Sequence, residues 1–302
     1  MKFKNKILGI CLIIAGSIYS CDVIDPPYTE PISTSPVDTT GNDSTITRTR
    51  KVLLEDYTGH TCGNCPKAAD AAEAVVQLYN DRVVVLGVHA GFFSIPVPPA
   101  PLPSGAPQGS YSMDFRTTEG TLWDNPQNFG ISTVGNPNGM VNRKTFNGNR
   151  VVSYSNWASA VQTILNDSAD IGTKIFTGYN STTRAVNITV RGKFYNANIT
   201  NNLKLVVLIS ESNIITWQTD YAITANNHVP DYNHKHVLRG TVNGAWGELF
   251  ASSLTPAGTT LEKNYTYTLN NSLNENNCSV VAFIYDENTW EVLQADEVKI
   301  LD

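Results

Sequence analysis

Residues 51–66 read Lys-Val-Leu-Leu-Glu-Asp-Tyr-Thr-Gly-His-Thr-Cys-Gly-Asn-Cys-Pro. The apolar run at 52–54 predicts a buried strand, and the polar residues 58–61 interrupt it as a turn would. The cysteines and the alanine-rich stretch that follows them predict a helix over 62–79, built mainly of strong helix formers. A Cys-X-X-Cys pair therefore lies where a strand passes into a helix, and this context makes an otherwise common motif informative.

The position of the two cysteines suggests their chemistry. Free backbone N–H groups and a partial positive charge at a helix N-terminus stabilise a thiolate. Cys62 is therefore predicted to be the attacking thiol, with a pKa of roughly 3.5–7.5, and Cys65 the less exposed resolving thiol. In an oxidising compartment the pair is equally able to form a static disulfide. Such a bond closes a very short loop, so it would add little stability through chain entropy.

The N-terminus has the features of an export signal. Lysines at positions 2, 4 and 6 precede an apolar segment at 7–18, which is too short for a comfortable membrane span. The sequence Ile-Tyr-Ser-Cys at 18–21 resembles a bacterial lipobox. Residues 1–21 are therefore predicted to be a lipoprotein signal peptide ending at a lipidated Cys21, with an ordinary secretory signal as the alternative. Residues 22–50, rich in Pro, Asp, Ser and Thr, predict a disordered tether.

Composition narrows the classes of partner and cofactor. The length of 302 residues suggests two domains. Only 16% of residues are charged and the net charge is −6, which argues against a nucleic-acid partner. Cys278 lies in an apolar, strand-like run and is predicted to be a buried hydrophobic residue. Because Pro66 rather than histidine follows Cys65, c-type haem attachment is excluded, and no cofactor is predicted.

A second buried strand is predicted at 82–89. Strand, helix and strand in this order form a right-handed parallel unit, which places Cys62 at the carboxyl ends of the strands, where such sheets carry their sites. The Pro- and Gly-rich segment 90–120 starts from the same edge and cannot form a regular helix. It is predicted to flank or cover the motif. His89, at its root, is interpreted as a packing residue rather than one that poises the thiol.

The order of elements up to residue 170 resembles the thioredoxin fold: strand, Cys-Gly-Asn-Cys, helix, strand, insertion at 90–120, short helix, Gly-Asn-Pro, strand and final helix. The resemblance implies that residues 51–170 form a thioredoxin-like domain. It implies a cis-proline at Pro137 facing the dithiol, with Asn136 contacting substrate backbone. It also implies a buried acid as a proton relay: Asp56, six residues before Cys62, is the match, and its neighbour Glu55 is the alternative. Thr61 and Asn64 depart from that family's usual residues, which leaves the redox potency open.

The C-terminal half predicts strands at 173–179, 184–195, 203–211, 262–270, 278–286 and 291–299. So many short strands suggest that residues 171–302 form an immunoglobulin-like β-sandwich, a fold that names no function. The segment 214–247 interrupts this pattern and is predicted to contact the first half. His234 and His236 would share one face of a strand, as a metal site requires. Since no third ligand is fixed, packing is favoured and no metal site is predicted.

The chain also resembles a narrower family, the outer-membrane lipoproteins typed by a twenty-eight-kilodalton surface protein. Three linked motifs carry the likeness: Thr-Gly-His before Cys-X-X-Cys-Pro at 58–66, Pro-X-Gly leading to Asn-Arg at 137–143, and His-X-His-Val-Leu-Arg at 234–239. The resemblance implies an α/β domain followed by an all-β domain, and a lipid-anchored protein at the outer membrane of a Gram-negative bacterium.

Two functions of different class remain open. One is thiol–disulfide exchange through Cys62 and Cys65, with protein thiols or disulfides of the cell envelope as partners. The other is a surface adhesin or structural binding lipoprotein with an inert disulfide. A zinc or copper carrier using both cysteines and His60 is less favoured. A Cys62 sulfur buried under the 90–120 loop would favour the inert disulfide, and an exposed sulfur beside Pro137 would favour exchange.

Overall fold

The computed structural model describes residues 46–196 and 199–301, which belong to one compact unit. The predicted signal peptide, its lipidation residue Cys21 and the tether up to residue 45 lie outside the described residues. Residues 46–50, which composition assigned to the tether, instead pack against the folded body. Ile46 is buried, and Arg50 Nη1 donates a hydrogen bond to the Leu293 carbonyl at 2.6 Å.

The first half contains three strands and four helices. They are β1 (Val52–Thr58), α1 (Cys65–Tyr79), β2 (Val83–His89), α2 (Thr118–Trp123), α3 (Ile131–Val134), β3 (Asn138–Val141) and α4 (Trp157–Leu165). β1 pairs parallel with β2 and antiparallel with β3. Both β1 and β2 are buried almost throughout, which explains their continuous apolar runs.

Helix α1 begins later than predicted. Asn64 is its N-cap and Cys65 its first residue, with Pro66 in the first turn, where a missing N–H costs nothing. Cys62 therefore precedes the helix and does not lie in its first turn. The stabilisation of a Cys62 thiolate by the helix terminus, predicted from the strand-to-helix context, is weakened by this distance because the dipole acts within the first turn.

The described part of the second half, residues 171–196 and 199–301, contains ten strands. They are β4 (Ile171–Asn180), β5 (Ala185–Phe194), β6 (Leu203–Glu211), β7 (Ile214–Thr219), β8 (His228–His234), β9 (Val237–Thr241), β10 (Glu248–Ala251), β11 (Thr260–Thr268), β12 (Cys278–Asp286) and β13 (Val292–Lys299). The six strands predicted from sequence are present. β7 to β10 lie between the strands predicted at 203–211 and 262–270, where no strand was predicted.

The largest sheet of the described region crosses the boundary predicted at residue 170. Its order is β13-β12-β6-β9-β2-β1-β3, with β10 also paired to β6. β9 joins the halves by pairing parallel with β2 at Gly87 and antiparallel with β6. Two smaller sheets are β11-β5-β4 and the hairpin β7-β8. The fold is therefore mixed α/β, and no described helix is long and apolar enough to cross a membrane.

Strands β6 and β12 are buried on both faces. One face packs toward β4 and β5 and includes the fully buried Cys278, which confirms the prediction that this cysteine is a small core residue. The opposite face packs toward β2 and Trp123. The two cores therefore share the strands that lie between them, and a disturbance of β6 or β12 reaches both.

A buried ion pair lies within the second of these cores. Arg143 donates hydrogen bonds from Nε and Nη2 to the Glu55 carboxylate at 2.9 and 2.7 Å, and neither side chain is exposed. Aromatic rings from both halves surround the guanidinium, with centroids 4.8–6.0 Å from Arg143 Cζ: Trp123, Phe129, Phe283 and Tyr285. Such contacts favour a cation, and this cluster links β1 to β12.

Candidate functional site

Cys62 and Cys65 form a disulfide in the turn between β1 and α1. Each cysteine is only 2% exposed. The Cys65 N–H donates a hydrogen bond to the Cys62 carbonyl, and the Cys62 N–H donates to that of Gly59. The motif is therefore a compact, backbone-bonded turn whose sulfurs are shielded from solvent.

The segment after β2 covers one side of this turn. The Thr61 N–H and hydroxyl both donate to the Phe93 carbonyl, at 3.1 and 2.9 Å, and His60 Nε2 lies 3.2 Å from the Ile95 carbonyl. A Cβ at Gly59 would lie 2.4 Å from the Phe93 carbonyl carbon, so only glycine permits this approach. The prediction that the 90–120 loop flanks the motif is confirmed.

The hairpin β7-β8 covers a second side. The backbone N–H groups of Thr219 and Tyr221 donate to the carbonyls of His60 and Gly63, both at 2.8 Å. Gln218 Nε2 donates to the Cys62 carbonyl at 3.0 Å. The Tyr221 ring lies so close to Gly63 that a Cβ there would meet it at 2.4 Å. The predicted contact between segment 214–247 and the first half is thus confirmed.

Asp56 is a buried acid that shares a small cavity with Cys65. Its buried Oδ1 makes no hydrogen bond to any described residue, and burial raises its pKa from 3.8 to about 7. Asp56 and Cys65 line the same small cavity of about 40 Å³. Glu55, the alternative relay, is instead bound to Arg143. The structure therefore places Asp56, and not Glu55, beside the motif.

Pro137 lies at the end of β1 that leads to the motif, because Asn138 pairs with Tyr57. The Asn136–Pro137 peptide bond is cis, as the thioredoxin resemblance implies. Asn136 Nδ2 makes a long contact of 3.5 Å to the Ala90 carbonyl, while its Oδ1 makes no hydrogen bond within the described region. Asn136 and Pro137 thus share a sheet edge with the disulfide.

Four histidines gather under the covering segments with two aromatic residues. The Phe115 ring lies 4.6 Å from that of His89 and 4.8 Å from that of His234, and His228 Nδ1 lies 2.6 Å from the Tyr111 hydroxyl. The His60 ring also contacts those of Tyr111 and Phe115. Burial lowers the pKa of His60, of His89 and, to about 4, of His234. The histidine rings and the two aromatic rings pack the interface between the covering segments.

The histidine pair at 234 and 236 does not share a strand face. β8 ends at the buried His234, and the backbone at His236 is left-handed, with φ 55°. His236 turns away to Glu73, at 3.2 Å. Among residues 46–196 and 199–301, no three His, Cys, Asp or Glu side chains are grouped so that they could hold a metal ion.

A family model described as outer membrane protein Omp28 matches residues 125–302. This chain belongs to the Omp28 outer membrane protein family. It is therefore a protein of the outer membrane of a Gram-negative cell envelope, as the sequence motifs predicted.

Several solved structures are similar to this chain to different degrees. The Omp28-family chain is similar to HBP35 of Porphyromonas gingivalis, with a TM-score of 0.59 and 16% identity over 83% of this chain and 76% of that one. A domain of the outer membrane lipoprotein Omp28 from the same species is 29% identical, covering 44% of this chain and 88% of the domain, with a TM-score of 0.30. A protein from Agrobacterium tumefaciens is 14% identical over 84% and 96% of the two chains, with a TM-score of 0.46. No curated protein matches this sequence.

The part of the chain that matches the Omp28 family starts after the disulfide. It contains Pro137, Arg143 and the hairpin residues Gln218 and Tyr221, but neither Cys62 nor Cys65. The matched region thus includes the hairpin that covers one side of the site, but neither the turn itself nor the 90–120 segment. Sequence reasoning missed Gln218 and Tyr221, because nothing local in a polar loop marks a residue that binds a turn 156 positions away.

Proposed function

We propose that this Omp28-family protein is a structural or binding lipoprotein of the outer membrane, in which the Cys62–Cys65 disulfide fixes the turn between β1 and α1. The observation that carries the proposal is the 2% exposure of Cys62 beneath two segments that are hydrogen-bonded to its turn. Exchange requires a thiolate to reach a sulfur. Here the backbone bonds of Thr61, Thr219 and Tyr221 must open first.

The proposal includes a finer architecture and an anchor. A thioredoxin-like unit at 51–170 is supported by parallel β1 and β2, by antiparallel β3 and by helix α1, which begins at Cys65 directly after the turn. An immunoglobulin-like arrangement of 171–302 is supported by the packing of β4 and β5 across a core from β6 and β12. The lipobox sequence ending at Cys21 supports lipid anchoring. These features suit a spaced binding module at a membrane.

The reduction potential of the disulfide tests this function. We expect a value below about −300 mV and no exchange with a model disulfide, as for a structural bond. The measurement is equilibration of the purified protein with dithiothreitol buffers, followed by alkylation and mass spectrometry. A potential between roughly −270 and −120 mV, with exchange that disappears in Cys62→Ser, would contradict the proposal and establish a redox protein.

Thiol–disulfide exchange is the second candidate, favoured by Asp56. In this function a partner displaces the hairpin, and its thiolate attacks Cys62 Sγ. The Cys62–Cys65 bond breaks, a mixed disulfide forms, and Cys65 leaves as a thiolate that takes the proton of Asp56. The pKa of about 7 at Asp56 suits a proton donor near neutral pH. The partners would be protein thiols or disulfides of the envelope.

The Tyr221 ring is expected to limit access to the disulfide under either function. We predict that Tyr221→Ala is reduced about tenfold faster by dithiothreitol, since loss of roughly 1.4 kcal/mol of ring contact raises the open population by that factor. Tyr221→Phe, which keeps the ring, and Ile223→Ala, an exposed neighbour, are the controls. An unchanged reduction rate in Tyr221→Ala would show that the hairpin does not guard the sulfurs.

A further inference from the structure

A second cavity, of about 190 Å³, lies behind the motif between α1 and the end of β8. Its walls come from α1, from β2 and from the residues that join β8 to β9. A larger cavity of about 630 Å³ lies elsewhere, beside α4, and its lining carries no charged side chain. The smaller cavity is lined by Asp56, Ala69, Asp70, Ala72, Glu73, Val85, Gly87, Tyr232, Asn233, Lys235 and His236.

Asp56 is the most buried polar residue that lines this cavity. It is 5% exposed, and its Oδ1 accepts no hydrogen bond from the described residues. Its partner in β2 is Gly87, which has no side chain to fill the space opposite the carboxyl. A buried carboxyl oxygen without a donor is costly. The fold thus holds an acceptor in reach of the cavity without giving it a partner.

The two basic side chains of the cavity, Lys235 and His236, are both hydrogen-bonded to the same acid, Glu73. The Glu73 carboxylate accepts from Lys235 Nζ at 3.0 Å and from His236 Nε2 at 3.2 Å. These bonds lower the Glu73 pKa to about 2, so the carboxylate is ionised. In the neutral imidazole that donates from Nε2 to Glu73, the buried and unbonded Nδ1 of His236 is an acceptor.

The groups of the cavity that have no hydrogen-bond partner indicate the chemical class of ligand that it can bind. The unpaired ones, Asp56 Oδ1 and His236 Nδ1, accept hydrogen bonds, and the Asp70 carboxylate adds negative charge at the exposed rim. The remaining wall is apolar, formed by Ala69, Ala72 and Val85. A molecule that satisfies this surface has several N–H donors, a positive charge and a short hydrocarbon chain.

We infer that this cavity binds a small organic ammonium ion, with its nitrogen on Asp56 and its methylene groups against the alanine and valine wall. The inference goes beyond the proposed function and does not depend on whether the disulfide exchanges. A cation beside Asp56 favours the ionised carboxylate, which the empty cavity disfavours through burial. Binding therefore releases the proton of Asp56 at pH values below about 7.

Calorimetric titration of the purified protein with n-pentylamine tests the site, with n-pentanol as the uncharged match. At pH 8 we expect the amine to bind at least about tenfold more tightly than the alcohol, since an ammonium–carboxylate bond is worth at least about 1.4 kcal/mol. Below pH 7 the affinity should fall by up to about tenfold per pH unit, because one proton must leave.

Two variants separate the charge from the space. Asp56→Asn should lose at least about tenfold in amine affinity and all of the pH dependence. The control is Asp231→Asn, an exposed change on β8, the strand that also contributes Tyr232 and Asn233 to the cavity. It should bind as the parent protein does. Ala69→Leu, which narrows the cavity without touching a charge, should also weaken binding. Equal binding of amine and alcohol, no amine binding, or parental affinity in Asp56→Asn would each overturn the inference.

Discussion

Arg143→Ala is expected to lower the free energy of unfolding by about 3–5 kcal/mol. The substitution leaves the Glu55 carboxylate buried without its partner, since neither side chain of the pair is exposed. It also empties the space between the four surrounding aromatic rings. Urea unfolding, followed by tryptophan fluorescence, measures the loss, because Trp123 is one of these rings.

The neighbouring residue offers a matched control. Lys144 pairs with Glu291 at 2.6 Å, but both side chains are about one-third exposed, so Lys144→Ala should cost at most about 1 kcal/mol. The double variant Glu55→Leu/Arg143→Met should lose less than the sum of its single changes, because no charge is left unpaired. If Arg143→Ala cost no more than Lys144→Ala, the buried pair would not be what holds the two halves together.

Acidification from pH 7 to pH 4 is expected to destabilise the protein through its buried histidines. The pKa of His234 falls from 6.5 to about 4 on folding, so between these values the unfolded state binds the additional proton. Stability therefore decreases as the pH falls through this window, by about 3 kcal/mol for His234 alone. His60 and His89, whose pKa values are also lowered by burial, act in the same direction.

Other charged groups near this cluster modify the slope without reversing it. Arg239 adds to the lowering at His89, and Asp114 opposes the lowering at His60. Asp56 acts with the opposite sign: its folded pKa of about 7 contributes stability that is fully present below about pH 4 and lost as the pH rises through 7. Over this range its contribution is similar in size to that of His234 and opposite in sign. His60 and His89 therefore decide the net sign, and they make acid destabilising.

Two variants check the signs. His234→Gln, which retains a donor for the Trp217 carbonyl, should flatten the dependence of stability on pH. Asp56→Asn should steepen it, because the opposing group is gone. Urea titrations at unit intervals from pH 4 to pH 7 give the slopes. A stability that does not change over this range, or a His234→Gln variant with the parental slope, would contradict the assignment.

The strands could be predicted where their own residues dictate them. β1, β2, β6 and β12 are long apolar runs because both faces are buried, and β5 alternates because one face is less covered. β8 carries His-Val-Pro-Asp-Tyr-Asn-His, a polar sequence without period. Its strand conformation depends on pairing with β7 and on packing over the motif, and a local pattern contains neither.

The chemistry of the site was predictable only in part. Cys-X-X-Cys between strand and helix, and the proline at the sheet edge, followed from order along the chain. The choice of Asp56 over Glu55 came from its spacing before Cys62 in the thioredoxin resemblance. It did not follow from the strand itself, because a strand buried on both faces shows no alternation that fixes which side chain points where. The burial of Cys62 did not either, because Gln218 and Tyr221 impose it from a distant hairpin.

The contact between residues 49–51 and β13 determines when the fold can close during export. The Lys51 N–H donates to Gln294, Gln294 donates back to the Thr49 carbonyl, and the Lys51 ammonium lies 2.7 Å from Asp296. These partners are separated by about 245 positions along the chain. A protein delivered across a membrane from its N-terminus presents β1 and β2 long before β9 and β13 can cover them. Closure of the fold must therefore wait for delivery of residues 292–299, and until then the newly exported chain exposes open strand edges, the surface on which chains aggregate.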